Sequence, residues 1–160
     1  MGAYGNASQQ KLNTCHPDLI TLFQEVVKGF DNTIIYGERT PTEQFELYKQ
    51  GRKQDANGKW IVVDKSKVVT YKDGTINKSE HNYSPSHAVD AAPYYTTEPH
   101  IRWKDTRRMD HFAGFVRGVA FRLKAEGKIT HNIRWGGDWD NDTEVKDETF
   151  MDLVHFEIID

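Results

Sequence analysis

Two apolar stripes at helical spacing constrain the fold of this 160-residue chain more than any other feature. Over Pro17–Phe30, residues Leu19, Leu22, Phe23, Val26, Val27 and Phe30 recur at steps of three and four. Over Thr106–Glu126, residues Met109, Phe112, Val116, Val119 and Leu123 do the same. Each stripe predicts a helix that must bury one face. Asp105 or Thr106 caps the start of the second and Gly127 its end. Another helix is signalled at Thr40, where Glu43 three residues on completes a capping box and Pro41 takes the first turn; it runs to about Lys49 and stops at Gly51. The remaining apolar runs, Ile34–Tyr36, Ala88–Ala92, Ile133–Trp135 and Leu153–Ile159, are short enough to read as strands. Residues 51–80 are less regular. Turn signals at Asp55–Gly58 and Asp73–Gly74 leave Trp60–Val63 and Val68–Tyr71 as a hairpin or as one long surface excursion. Segregated elements in this order predict an α+β domain with a small, mainly antiparallel sheet flanked by three helices.

A core of this kind has to hold without cross-links. Cys15 is the single cysteine, so no intramolecular disulfide forms and a cysteine-rich zinc site is excluded. Hydrophobic residues make up 37% and aromatics 12%, enough for one globular domain over 1–160. A formal net charge of -3 gives no ground for nucleic-acid binding. The segment MGAYGNASQQ has no basic region followed by an apolar run, and nothing approaches transmembrane length, so neither a secretory signal nor stable membrane insertion is expected.

Chemistry concentrates in two segments. One runs from Ser79 through His81 and His87 to Asp90; the other is Asp152-Leu153-Val154-His155-Phe156-Glu157. A catalytic zinc needs three ligands of imidazole and carboxylate type plus an open position for water. A further carboxylate must take the water's proton and pass it to the leaving amine. His81, Asp90 and His155 offer the ligand types, and Asp152, three residues before His155, offers the base. Taken singly, each has an ordinary explanation: a surface histidine, a strand-end aspartate, a turn cap.

Together they resemble a known pattern. Ser79-x-His81, a loop, Ala88-x-Asp90, then Asp152-x-x-His155 near the C-terminus is similar to the D-Ala-D-Ala carboxypeptidase and L-alanyl-D-glutamate peptidase family, whose fold is shared with the hedgehog signalling domain. The resemblance implies zinc ligands at His81, Asp90 and His155 and a catalytic base at Asp152. It extends further. His16-Pro17-Asp18-Leu19 resembles the family's opening helix, Gly37-Glu38-Arg39-Thr40 its G-x-R-T segment, and Arg134-Trp135-Gly136-Gly137-Asp138-Trp139 its glycine-bearing strand. Arg39 is then expected to hold a substrate carbonyl or a developing oxyanion. Gln44, a helical turn on, is a candidate for substrate contact. One departure concerns the six residues Asn82–His87 between the ligand histidine and Ala88, longer than the family's shortest form and similar to the N-x-x-P-S form of phage-type members. The longer loop leaves His87 as a rival ligand or a wall of the substrate groove. Ser79 is expected to orient His81 from behind.

The implied activity is zinc-dependent cleavage of peptidoglycan stem peptides, by a phage-type endolysin acting on the L-alanyl-D-glutamate bond. A D-Ala-D-Ala carboxypeptidase is the alternative reaction, and a non-catalytic zinc-bearing module the alternative of another class. A monomer made in the host cytoplasm without a signal peptide is expected, released to the periplasm or wall through a holin. No separate wall-binding domain is expected, which suggests a Gram-negative host. Asp138, Asp140, Asp142 and Glu144 alternate closely enough to hold calcium, although no glycine turn of the EF-hand kind follows, and a solvated acidic loop is the ordinary explanation.

Overall fold

The computed structural model describes residues 2–160. The first helix, α1 (Asn6–Leu12), leads into α2 (Pro17–Gly29), β1 (Asn32–Tyr36) and α3 (Pro41–Tyr48). A hairpin of β2 (Arg52–Gln54) and β3 (Trp60–Val62) follows, then β4 (Ala88–Pro93), α4 (Thr106–Ala125), β5 (Asn132–Trp135) and β6 (His155–Ile159). Strands β1, β4, β6 and β5, in that spatial order, form a four-stranded sheet in which every neighbouring pair is antiparallel.

The two apolar stripes do what their spacing requires. Leu19, Leu22, Phe23 and Val26 of α2 and Phe112, Val116 and Leu123 of α4 are buried together. They meet the inward side chains of the sheet, Val89 and Ala91 from β4 and Phe156 from β6. Phe156 lies edge-on to Phe23 at 5.6 Å and to Phe112 at 5.8 Å between ring centres. Each such side chain contributes roughly 1.5–3 kcal/mol of burial. Alternation along a strand then sends the intervening residues to the other face. Asp90 on β4 is the register partner of His155 on β6, and Glu157 on β6 is the partner of Arg134 on β5. The sheet thus has a dry face under the helices and a polar face carrying the site.

Two sequence expectations change. A fourth helix, α1, precedes the three expected ones. It is polar, with only Leu12 buried, so it carries no apolar stripe; it is tied to β1 through Ser8, whose hydroxyl accepts from Ile34 N at 3.1 Å. The hairpin is also different. Trp60–Val62 pairs with Arg52–Gln54 across the Asp55–Gly58 turn, and Val68–Tyr71 forms no strand. Asp55 Oδ1 caps that turn by accepting from Asn57 N and Lys59 N. The segment after Val68 is instead held by Gln44, whose amide nitrogen donates to Thr70 Oγ1 and the Lys72 carbonyl.

Candidate active site

Three donor atoms converge on the polar face. His81 Nε2 lies 3.0 Å from Asp90 Oδ1 and 3.3 Å from His155 Nδ1, and His155 Nδ1 lies 3.2 Å from the same Asp90 oxygen. All three residues are buried. Their far sides fix which nitrogens are free. His81 Nδ1 is 2.7 Å from the Gly37 carbonyl, which can only accept, so Nδ1 carries the hydrogen and Nε2 presents a lone pair. His155 Nε2 is 2.8 Å from Glu157 Oε2, so there Nδ1 is the free nitrogen. Two imidazole nitrogens and a carboxylate oxygen therefore face one another, an arrangement that suits a cation. A tetrahedral ion with bonds of about 2.0–2.1 Å sets its ligands about 3.3 Å apart, so the triangle fits a metal ion. His81, Asp90 and His155 thus form a possible metal site.

The electrostatics agree. Burial works against ionising Asp90, but the imidazoles of His81 and His155 outweigh it and hold the carboxyl well below the usual carboxylate range. His155 is pushed up to about 10; burial opposes this, and the hydrogen bonds to Asp90 and Glu157 overcome it. Both shifts express a demand for positive charge at this corner. Cys15 takes no part: burial raises its thiol to about 12, leaving it a neutral core group.

Local chain geometry places these groups. A Cβ on Gly37 would lie 2.3 Å from the Lys11 carbonyl and 2.3 Å from Thr14 Oγ1, so only glycine lets β1 end this close to α1 and aim its carbonyl at His81. His81 itself rides a single 3-10 turn, Glu80–Asn82, which Ser79 and Asn82 close with a capping box. Ser79 Oγ accepts from the backbone N of His81, so it orients the turn rather than the ring. Gly136 serves Asp152 similarly. A Cβ there would fall 2.3 Å from the Asp152 carbonyl, and the Asp152 amide donates to Gly136 O at 2.7 Å.

His81, Asp90, His155, Arg39 and Asp152 line one cleft of about 550 Å³, with an apolar wall that includes Val69, Tyr71, Trp139 and Phe150. Burial, and next the charge of Asp90, raise the pKa of Asp152. Arg39 is buried and spans two partners: Nη1 donates to Gln44 Oε1 at 2.8 Å, and Nη2 lies 3.4 Å from Asp90 Oδ2. Its Nε is buried without a partner among the described residues. Gln44 does not face the cleft. Its amide is spent on Arg39, Thr70 and Lys72, so it braces the arginine. His87 stands apart from the three donors, stacked on Tyr83 at 4.1 Å and 3.3 Å from Glu80 Oε2, in a neighbouring cleft.

Comparison with known proteins shows the family and the fold. A family model described as phage L-alanyl-D-glutamate peptidase matches residues 2–159. The chain belongs to that family. It is 33% identical over 133 residues to the peptidoglycan L-alanyl-D-glutamate endopeptidase CwlK of Bacillus subtilis (strain 168), a match covering 82% of this chain and 63% of that protein's length. The fold matches the crystal structure of the Serratia marcescens L-Ala D-Glu endopeptidase ChiX with a TM-score of 0.64 at 19% identity, over 98% of this chain and 89% of that one. No described helix is long and apolar enough to cross a membrane.

Two further clusters are organised differently. Asp138, Asp140 and Asp142 come together, but Glu144 does not join them. Asp138 is fully buried, with Arg117 Nη1 at 2.6 Å and the amides of Asp142 and Thr143 on its two oxygens. Asp18, between His16 and His131, pins the turn before β5: one oxygen accepts from Thr130 N, Thr130 Oγ1, His131 N and His131 Nδ1. Sequence reasoning assigned no part to Glu157, although it closes the segment that also holds Asp152 and His155. The signal was strand alternation, which puts residues 155 and 157 on one face. The Gly37 carbonyl carries no side-chain signal at all.

Proposed function

We propose that this protein hydrolyses the L-alanyl-D-glutamate bond of peptidoglycan stem peptides, with zinc held by His81, Asp90 and His155, as a phage endolysin. The observation that carries the proposal is the convergence of those three donors in a cleft that also contains the half-buried carboxyl of Asp152, whose pKa is raised. Membership of a family described by this bond supports the endopeptidase over the carboxypeptidase. Zinc bound there would supply a Lewis acid for the scissile carbonyl and lower the pKa of water toward ~7.

The chain's own groups do the rest. Asp152 accepts the proton of the attacking water. A carboxylate with raised pKa holds that proton readily and then delivers it to the departing D-glutamate nitrogen, so the peptide C–N bond breaks without expelling an amide anion. Arg39 brings a fixed positive charge to the cleft, where charge develops on the carbonyl oxygen. Gln44 and Asp90 hold its fork in place. Val69, Tyr71, Trp139 and Phe150 give the cleft an apolar wall against which a bound peptide can pack.

A non-catalytic zinc module would not need Asp152, whose raised pKa serves proton transfer and contributes nothing to holding metal. The deciding experiment incubates the purified protein with Gram-negative peptidoglycan, with and without a chelator, and identifies products by mass spectrometry. Chelator-sensitive release of stem peptides with a free N-terminal D-glutamate is expected. Loss of terminal D-alanine alone would replace the proposal with the carboxypeptidase, and bound zinc without cleavage would replace it with the binding module.

A further inference from the structure

We propose that Glu157 and Arg134 are a positioning pair that locks the His155 ring and sets how tightly the site holds its metal; this rests on the zinc reading above. His155 is the one donor that faces the cluster through Nδ1, and its opposite nitrogen meets Glu157 Oε2 at 2.8 Å. Glu157 is buried and its other oxygen accepts from Arg134 Nε at 2.8 Å and from Arg134 Nη2. Arg134 is itself fixed, with Nη1 donating to the Trp139 carbonyl at 3.2 Å. The sheet supplies the alignment, because Arg134 and Glu157 are register partners across β5 and β6, and Asp90 and His155 are partners across β4 and β6.

The chemistry follows from the charge at the end of the relay. A carboxylate accepting the ring N–H holds one tautomer, fixes the rotation of the ring, and makes the opposite nitrogen a better donor. A buried glutamate would be costly alone, and two nitrogens of the guanidinium close on its Oε1 while Oε2 meets the histidine. On the other side of the site, Arg39 beside Asp90 repeats this arrangement of an arginine behind a donor. An ion pair that only fixed strand register would have no reason to meet the metal-facing histidine at hydrogen-bond distance.

The test is the zinc dissociation constant, measured by chelator competition on the full chain and on Glu157→Gln and Glu157→Ala. The alanine variant is expected to bind zinc about 10- to 100-fold more weakly, with the glutamine variant between it and the parent. The downfield N–H resonance of His155 Nε2 in the zinc-loaded protein should move in Glu157→Gln and exchange away in Glu157→Ala. Glutamine preserves volume, so it keeps the comparison valid if alanine fails to fold. Zinc affinity within twofold of the parent, together with an unmoved ring N–H in folded Glu157→Gln, would overturn the proposal. These readouts need no substrate. A parent that binds zinc but leaves peptidoglycan intact refutes the proposed activity while weaker zinc binding in the variants still supports the pair; a parent that binds no zinc removes both.

Discussion

Replacing Asp18 with Asn tests how the second helix, α2, is fastened to the site-bearing sheet. The carboxylate sits in the first turn of α2, and one of its oxygens takes four hydrogen bonds from Thr130 and His131, just before β5. Burial alone would raise its pKa, but the backbone and side-chain donors of His131 and Thr130 outweigh burial and bring it from 3.8 to about 2. At about 1.4 kcal/mol for each tenfold change in the proton equilibrium, the charged form gains about 2 kcal/mol from folding. Asparagine keeps a carbonyl but loses the charge, so Asp18→Asn should be less stable by about 2 kcal/mol at neutral pH. For a chain of this length that lowers Tm by about 4–8 °C. The folded pKa lies below the unfolded one, near 3.9, so the contribution is complete above about pH 4. It is lost as pH falls through about 2. Urea denaturation of parent and variant between pH 7 and pH 2 reads this directly, in metal-free buffer so that metal release adds nothing. A gap that is small at pH 7, or that has not shrunk at pH 2, would refute the account.

Three other perturbations probe the site. Asp152→Asn should lower kcat by roughly 10²–10⁴-fold while zinc content per chain, by atomic absorption, stays at the parent level; retained turnover would remove Asp152 from proton transfer. Gly37→Ala forces a Cβ to 2.3 Å from two oxygens and shifts the carbonyl that faces His81. It should destabilise the fold by about 1–3 kcal/mol in chemical denaturation and also weaken zinc binding, whereas stability loss with unchanged zinc affinity would separate the carbonyl from the site. Chelation should lower Tm with the logarithm of free metal, the loss in stability being about 4 kcal/mol from a solution at a thousand times the dissociation constant, and a Tm indifferent to chelator would argue against a metal at the three donors.

What the sequence disclosed follows the range over which its signals act. The helices α2 and α4 were legible because a stripe at 3.6-residue spacing is a local statement of burial, and the Thr40–Glu43 capping box appears as expected. Strand β4 was legible because all six of its residues are buried and Pro93 ends the run. The helix α1 and the strand β2 were not, because their positions are fixed by contacts with distant residues and their side chains are polar. At the site, donor types and spacing alone offered only candidates, and the family resemblance singled out His81, Asp90 and His155, which the structure brings together. The same spacing left His87 open, and a stacked Tyr83 together with the Glu80 carboxylate accounts for its position elsewhere. Gln44 looked like a residue on a solvated helix face or a substrate contact because local sequence does not show that residues 68–74 return over α3 and bury it.

The division between sheet and loops also explains how this architecture accommodates divergence. The donors Asp90 and His155 stand on paired strands whose opposite faces are locked against α2 and α4, so their separation is set by backbone hydrogen bonding rather than by any one side chain. That framework needs only apolar residues of suitable volume behind it, which many sequences satisfy. A shared fold at 19% identity is then unsurprising. The cleft walls are built otherwise. Val69, Tyr71, Trp139 and Phe150 come from two long connections, residues 63–79 and 136–154, that meet where Tyr71 and Phe150 approach edge-on at 6.4 Å. Loops tolerate substitution and insertion with little cost to the core. Substituting Val69, Tyr71 and Phe150 of these segments by their counterparts in other family members should therefore alter which stem peptides are accepted while leaving metal affinity near the parent value. If metal affinity instead followed the loops, the strand pair could not be what sets the geometry of the donors.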